Sequence, residues 1–197
     1  MNIFYAYDSS VYNNYNFTGF IKSPKKITDI QKEISNIPNF CRTEQSISVK
    51  ELKSYLVSGI SFFTEDINIL GLINFDINVS QINILGLCAP EPSAGIGSLL
   101  IKSVKDFAQQ NKITLIKLTC YDEVHSFYEK QGFKIREEST FYDSDDEDDK
   151  IRYEMEFYLK QLSGGKQKTR KRKIGKRTRK RTRKRKTGKT KRQKNKI

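Results

Sequence analysis

The sequence has no tryptophan, one histidine (His125), two methionines, four prolines and three cysteines in 197 residues. A single histidine excludes the multi-histidine metal centres. Cys41, Cys88 and Cys120 are odd in number, and their spacings match no zinc pattern. They read as small apolar residues in a reducing compartment, with no disulfide framework. No apolar run approaches the roughly 20 residues that span a bilayer, and the N-terminal stretch has no secretory h-region, so neither membrane nor export is expected. The sequons at Asn16-Phe17-Thr18 and Asn78-Val79-Ser80 carry little weight without export. The most informative shortage is of acids. Ser163–Ile197 holds 20 Lys+Arg and no Asp or Glu, whereas the preceding residues hold 17 Lys+Arg against all 23 Asp+Glu. The net charge of +14 is therefore a body of −6 joined to a tail of +20.

That division predicts one domain over residues 1–162, long enough for a single core. Residues 163–197 have almost nothing apolar to bury and are expected to be a disordered arm.

Within the body, Ile3, Tyr5 and Tyr7 alternate as a strand over 2–7, and 8–26 reads as loop. Ile27, Ile30, Ile34 and Ile37 recur at helical spacing, with Thr28 and Gln31 as a capping box. A second helix starts at Ser48, with Leu52, Tyr55 and Leu56 on its apolar stripe and Gly59 as its C-cap. Three strands follow, at 60–64, 67–77 and 81–88, as an antiparallel meander. A Pro-containing loop then ends in Gly95-Ile96-Gly97, and Ile96, Leu100, Val104 and Phe107 mark the next helix. Residues 114–119 form a strand. Residues 122–131 form a helix with Val124, Phe127 and Tyr128 on one face and Gly132 as its C-cap. Strands at 133–141 and 151–159 close the domain; in the last, Ile151, Tyr153, Met155, Phe157 and Leu159 point one way. The connection from 81–88 through the glycine turn and helix to 114–119 demands a parallel pairing.

Two segments carry chemistry. Gly95-Ile96-Gly97 lies between a strand and a helix, where small residues let a ligand approach the backbone and the first helical N–H groups face an anion. A phosphate-bearing ligand fits such a turn, although no Walker lysine or Rossmann third glycine accompanies it. The second segment is Ser126-Phe127-Tyr128-Glu129-Lys130-Gln131-Gly132-Phe133, which places a tyrosine on the inner edge of a short helix.

The order of elements and these two motifs together resemble the GNAT superfamily of acetyltransferases. The resemblance in order covers most of residues 3–159. Its specific motifs lie between Leu85 and Lys134. The family's Gln/Arg-x-x-Gly-x-Gly/Ala signature aligns with Pro92-Ser93-Ala94-Gly95-Ile96-Gly97, with both glycines matched and Pro92 in the leading position. The block Asn-x-x-Ala-x-x-Leu-Tyr-Glu-Lys-x-Gly-Phe aligns with 121–133. Tyr128, Glu129, Lys130, Gly132 and Phe133 match, while Tyr121 and Val124 depart.

The resemblance implies an α/β (α+β) fold with a mixed central sheet of about seven strands and flanking helices. It also implies acetyl-CoA as co-substrate and an amine as acceptor, so that the chain would be an N-acetyltransferase. In such a fold the strand before the glycine turn parts from its neighbour. The pantetheine arm pairs with backbone near Leu87 and Cys88, and one of these N–H groups receives the oxyanion. The diphosphate sits on Ser93, Ala94, Gly95, Ile96, Gly97 and Ser98, with Tyr121 nearby. Tyr128 is then the general acid to the departing thiolate. A carboxylate is often found on the strand before the turn; here 81–88 has none, which leaves Glu91 and Asp76 as candidate bases. His125 reads as a surface residue.

The tail is the second source of function. An arm of +20 suits a polyanion, and nucleic acid is the first choice for residues 166–197; the absence of aromatics excludes base stacking. The arm also suits a nuclear import signal and resembles basic extensions on proteins of large DNA viruses, so the cell interior, nucleus and virion are the expected locations. Six carboxylates in the seven residues 143–149 form a second charge run, suited to a lysine-rich acceptor or to the chain's own arm. Pro92 and the missing strand carboxylate support an alternative: a catalytically inactive domain of the same fold carrying a nucleic-acid-binding or packaging arm.

Overall fold

The computed structural model describes residues 1–38, 40–41, 49–66, 68–89, 94–141 and 150–159. The elements run β1 (Phe4–Tyr7), a 3-10 turn (Ser10–Asn14), β2 (Ile21–Lys22), α1 (Ile27–Asn36), α2 (Val49–Ser58), β3 (Ile60–Glu65), β4 (Ile69–Asn78), β5 (Gln81–Cys88), α3 (Ile96–Gln110), β6 (Leu115–Tyr121), α4 (Asp122–Lys130), β7 (Lys134–Phe141) and β8 (Lys150–Tyr158).

All strands join one mixed sheet of order β2-β1-β3-β4-β5-β6-β8-β7. The meander from β3 to β5 is antiparallel, as the sequence predicts, and β5 pairs with β6 in parallel. The expected count of about seven strands rises to eight because β2, inside the segment read as loop, pairs with β1.

Alternation along the strands divides the core between two faces. On one face, α3 and α4 cover Phe62, Phe75, Ile82, Ile84, Ile116 and Leu118. Phe107, fully buried, holds α3 down through ring contacts at 5.1 Å to Phe17, 5.5 Å to Phe75 and 5.6 Å to Phe62. Burying a ring of this size contributes about 1.5–3 kcal/mol. On the other face, Ile30 and Ile34 of α1 and Leu52 and Leu56 of α2 pack with Phe63, Leu72 and Cys88.

A bulge interrupts the pairing of β4 with β5. Asn74 pairs with Gly86 but Phe75 pairs with Ile84, so Leu85 has no partner on β4. An extra residue bends and twists its strand. Immediately beyond, β5 leaves β6. The parallel pairs run only from Gln81–Leu115 to Ile84–Leu118, although β5 continues to Cys88 and β6 to Tyr121. The far halves stay paired elsewhere: Leu87 with Ile73 on β4, and Tyr121 with Arg152 on β8. The sheet is therefore two half-sheets zipped at one end and parted at the other.

Three expectations need correction. Cys41 and Cys88 form a disulfide with 4.8 Å between Cα atoms, against the reading of three unlinked cysteines. Disulfide pairing depends on proximity in space, which sequence spacing does not reveal; a reducing compartment can no longer be argued from the cysteines. The cap of α1 is not Thr28 with Gln31. Asp29 instead accepts from the Lys26 amide at 3.2 Å, which frees Gln31 to donate to the Lys53 carbonyl of α2 at 2.8 Å. Finally, Val124 is 45 % exposed although it shares a helical face with Tyr128; its first-turn neighbours Asp122 and Glu123 are exposed with it. Among the described residues, no helix is long and apolar enough to cross a membrane, and no cluster of His, Cys, Asp or Glu could hold a metal ion.

Candidate active site at the parted strands

The glycine turn stands at the open end of the parting. Gly95 has φ +72, a left-handed conformation that strains any residue with a Cβ. Its carbonyl accepts the first bond of α3, from the Leu99 amide at 3.0 Å. The amides of Ile96, Gly97 and Ser98 therefore lie ahead of the helical ladder, at the positive end of the helix dipole.

Gly97 is needed for packing. A Cβ there would meet Phe127 Cζ at 3.2 Å and Leu87 Cδ2 at 3.8 Å, so the start of α3 sits directly against α4 and β5. Gln131 at the end of α4 reinforces the contact by donating to Ser98 Oγ at 3.0 Å. Gly71 does the same on β4: a Cβ there would lie 2.5 Å from Ile96 Cγ2. The sequence offered no sign of that role, since Gly71 reads as an ordinary strand residue.

α4 begins where β6 ends and presents Tyr128 inward. The ring is 9 % exposed and packs at 5.0 Å from Phe127 and 5.9 Å from Phe133. Among the described residues, its hydroxyl makes no hydrogen bond. Burial raises its pKa well above the ordinary tyrosine value, with a further contribution from Cys120 on the half of β6 that has left β5. A phenol so placed stays protonated at neutral pH, as a proton donor must. The Cys120 thiol is itself pushed up to about 12 by burial and by Asp122, so it remains a thiol. His125, read as a surface residue, is half-buried; its ring lies 3.3 Å from an Asp122 carboxylate oxygen and 4.9 Å from Tyr153.

The opposite face of the parting is polar. A cavity of about 330 Å³ opens there, lined by Asn83, Leu85, Lys117, Thr119, Glu154 and Glu156 among others. Glu156 is held by three groups: the Tyr158 hydroxyl at 2.7 Å, Arg136 at 3.1 Å and Lys117 at 3.3 Å. These hold its carboxyl below the usual range, the Tyr158 hydrogen bond first among them. A carboxylate with a depressed folded-state pKa stabilises the fold above its unfolded pKa, and that contribution fades as pH falls through the folded value. Glu156→Gln is therefore expected to lower the urea midpoint at neutral pH, and the gap from the parent should narrow below about pH 4; urea melts at both pH values check this.

The structure brings Leu87, Cys88, Ala94, Gly95, Ile96, Gly97, Ser98 and Tyr128 to the rim or flank of the parting. It does not bring Asp76 there: Asp76 lies beside the zipped half and accepts from Asn83 Nδ2 at 2.8 Å. Tyr121 turns to the polar face, where Arg152 lies over its ring at 4.9 Å and donates to its hydroxyl at 2.8 Å. Glu91, Pro92 and Ser93 lie outside the described residues, as do the acidic run 143–149 and the basic arm 163–197. Strand register brings Glu154 to this cavity, opposite Thr119; by pattern alone it is one outward-facing acid in an alternating strand.

No protein-family model matches the chain. A curated relative, the uncharacterized protein YxbD of Bacillus subtilis, is 28% identical over 82 residues, covering 40% of this chain and 52% of that protein. The chain thus spans about half the length of that relative. Among solved structures, the ribosomal-protein-S18-alanine N-acetyltransferase of Escherichia coli superposes with TM-score 0.59 at 14% identity, covering 73% of this chain and 96% of that one. A GNAT family acetyltransferase from Streptococcus pneumoniae gives 0.54 at 16% identity, covering 69% and 96%. A GNAT family acetyltransferase from Elizabethkingia anophelis with acetyl-CoA bound gives 0.52 at 16% identity, covering 80% and 99%. The chain therefore has the GNAT acetyltransferase fold that its motifs predict.

Proposed function

We propose that this protein is an N-acetyltransferase that moves an acetyl group from acetyl-CoA to an amine. The observation that carries the reading is the parting of β5 from β6 between the Gly95-Ile96-Gly97 turn and Tyr128. Each end of the gap suits a different part of that co-substrate. The backbone of Leu85 to Cys88, unpaired on the side facing β6, offers N–H and C=O groups to the pantetheine amides, as an open strand edge does for a peptide. The leading amides of α3 suit its diphosphate.

In the transfer itself the acceptor nitrogen attacks the thioester carbonyl carbon. A backbone N–H at Leu87 or Cys88 receives the oxyanion, a contribution of roughly 3 kcal/mol where such donors have been measured. When the C–S bond breaks, the Tyr128 hydroxyl gives its proton to the thiolate sulfur; the acylated nitrogen loses a proton to water, and the phenolate regains one from water. The neighbour with acetyl-CoA bound supports the co-substrate assignment.

The arm at 166–197, with its 20 basic residues and no acid from 163 onward, suits recruitment to nucleic acid, and through it a nuclear or virion location. The engagement of Asp76 by Asn83 favours the alternative of an inactive domain on such an arm, since it removes one candidate base.

Thermal melting of the full chain separates the two. Acetyl-CoA at about 100 times its Kd should stabilise the fold by roughly 2.7 kcal/mol, a rise in Tm on the order of 5–10 °C. No rise at any millimolar concentration would replace the enzyme with the inactive domain.

A further inference from the structure

We propose that Glu154 is the acceptor-binding residue, and that the acceptor is a cationic amine entering the parting from the polar face. This rests on the acetyltransferase reading and adds to it the route and the charge of the second substrate.

Strand register places Glu154 at the gap. Ile84 and Leu118 form the last pair between β5 and β6. The next residues, Leu85 and Thr119, are the first that face each other across open space, and Leu85 is also the bulged residue. Thr119 pairs with Glu154 on β8. Glu154 is therefore level with the point where the gap opens, one strand spacing of about 4.8 Å away. Leu118 and Met155 turn into the core under α3 and α4, so Thr119 and Glu154, one residue along each strand, turn to the opposite face. Both are exposed there and both line the cavity at the gap.

Charge selects Glu154 from its neighbours. Glu156, two residues along on the same face, is neutralised by Lys117 and Arg136 and bonded to Tyr158. Arg152, two residues the other way, covers Tyr121. Glu154 forms no ion pair or hydrogen bond among the described residues. Among the described residues it is thus the one cavity carboxylate with no cation against it. An ammonium group is the complementary partner. Glu154 would hold the cation at the mouth of the gap, on the side away from Tyr128, so that nucleophile and proton donor approach the thioester from opposite faces. The part of Glu154 is binding and orientation, and the proton leaves to water.

Two readouts test this with the full chain. The first is equilibrium binding of spermidine and of a short Lys-containing peptide, by calorimetry at low salt in the presence of CoA. Glu154→Gln should weaken binding of at least one probe about 10-fold, while Glu154→Asp retains most of it. Asp106→Asn removes the same charge from the exposed side of α3, where Asp106 pairs with Lys102, and should leave binding unchanged. The second readout is steady-state kinetics, in which the loss should fall on KM rather than on kcat. The acetyl-CoA melting shift of Glu154→Gln should equal that of the parent, which separates failure of this inference from failure of the enzyme reading. Equal binding by parent and Glu154→Gln, an equal loss with Asp106→Asn, or no binding of either probe by the parent would each overturn the assignment.

Discussion

Replacing Tyr128 by phenylalanine is expected to lower kcat by about 10²-fold or more and to leave acetyl-CoA binding nearly intact. The substitution removes one oxygen from a ring that packs by its faces and edges against Phe127 and Phe133, so the core should lose little. What disappears is the proton for the departing thiolate, and general acids of this kind contribute 10²–10⁴-fold. The direction of the Tyr128 pKa sharpens the test. Because burial raises it above the ordinary tyrosine range, the parent should show no loss of activity from phenol ionisation up to about pH 10. A parent whose rate falls near pH 8 as a single group ionises has a different acid. Single-turnover rates of parent and variant, with the melting shift as the binding control, decide the matter. Equal rates would remove Tyr128 from the mechanism.

Breaking the Cys41–Cys88 link should have the largest effect on stability. The two residues are 47 apart in sequence, and closing a loop of that length reduces the entropy of the unfolded chain by an amount worth about 4 kcal/mol. In a chain of this size that corresponds to a fall in Tm on the order of 10 °C. A phosphine reductant should therefore lower the parent's Tm, and Cys41→Ser should lower it similarly and abolish the response to reductant. Cys120→Ser should retain the response, since Cys120 is buried and unlinked. Intact mass after alkylation in denaturant supplies the control: the parent should label at one thiol, Cys120, before reduction and at three after. Three labelled thiols without reduction would remove the link. The bond also joins the segment after α1 to the last residue of β5, so reduction should act on acetyl-CoA binding as well as on Tm.

Most of the architecture was legible in the sequence because most of it is set by short-range periodicity. The isoleucines of α1, the stripe Ile96, Leu100, Val104 and Phe107, and the alternation of β8 each bury a face that pattern alone identifies. Gly95 and Gly132 also announced themselves, since each takes a positive φ at a helix end. The short β2 did not, because two residues that pair with β1 leave no periodic trace. The cap of α1 failed for a similar reason: Asp29 and Gln31 both suit a cap, and which one serves depends on where α2 supplies a carbonyl.

What the sequence determined by itself was the fold family, the glycine turn, the tyrosine and the division of charge between body and arm, since each is written in residues close together along the chain. The tertiary structure alone decided where the strands part, which cysteines meet and which cavity carboxylate has no cation against it among the described residues. The physical reason is common to all three. A bulge opposite Asn74, a bond between Cys41 and Cys88, and the charge balance around Glu154 arise from strand register and from the meeting of distant segments, and neither is encoded in any local pattern.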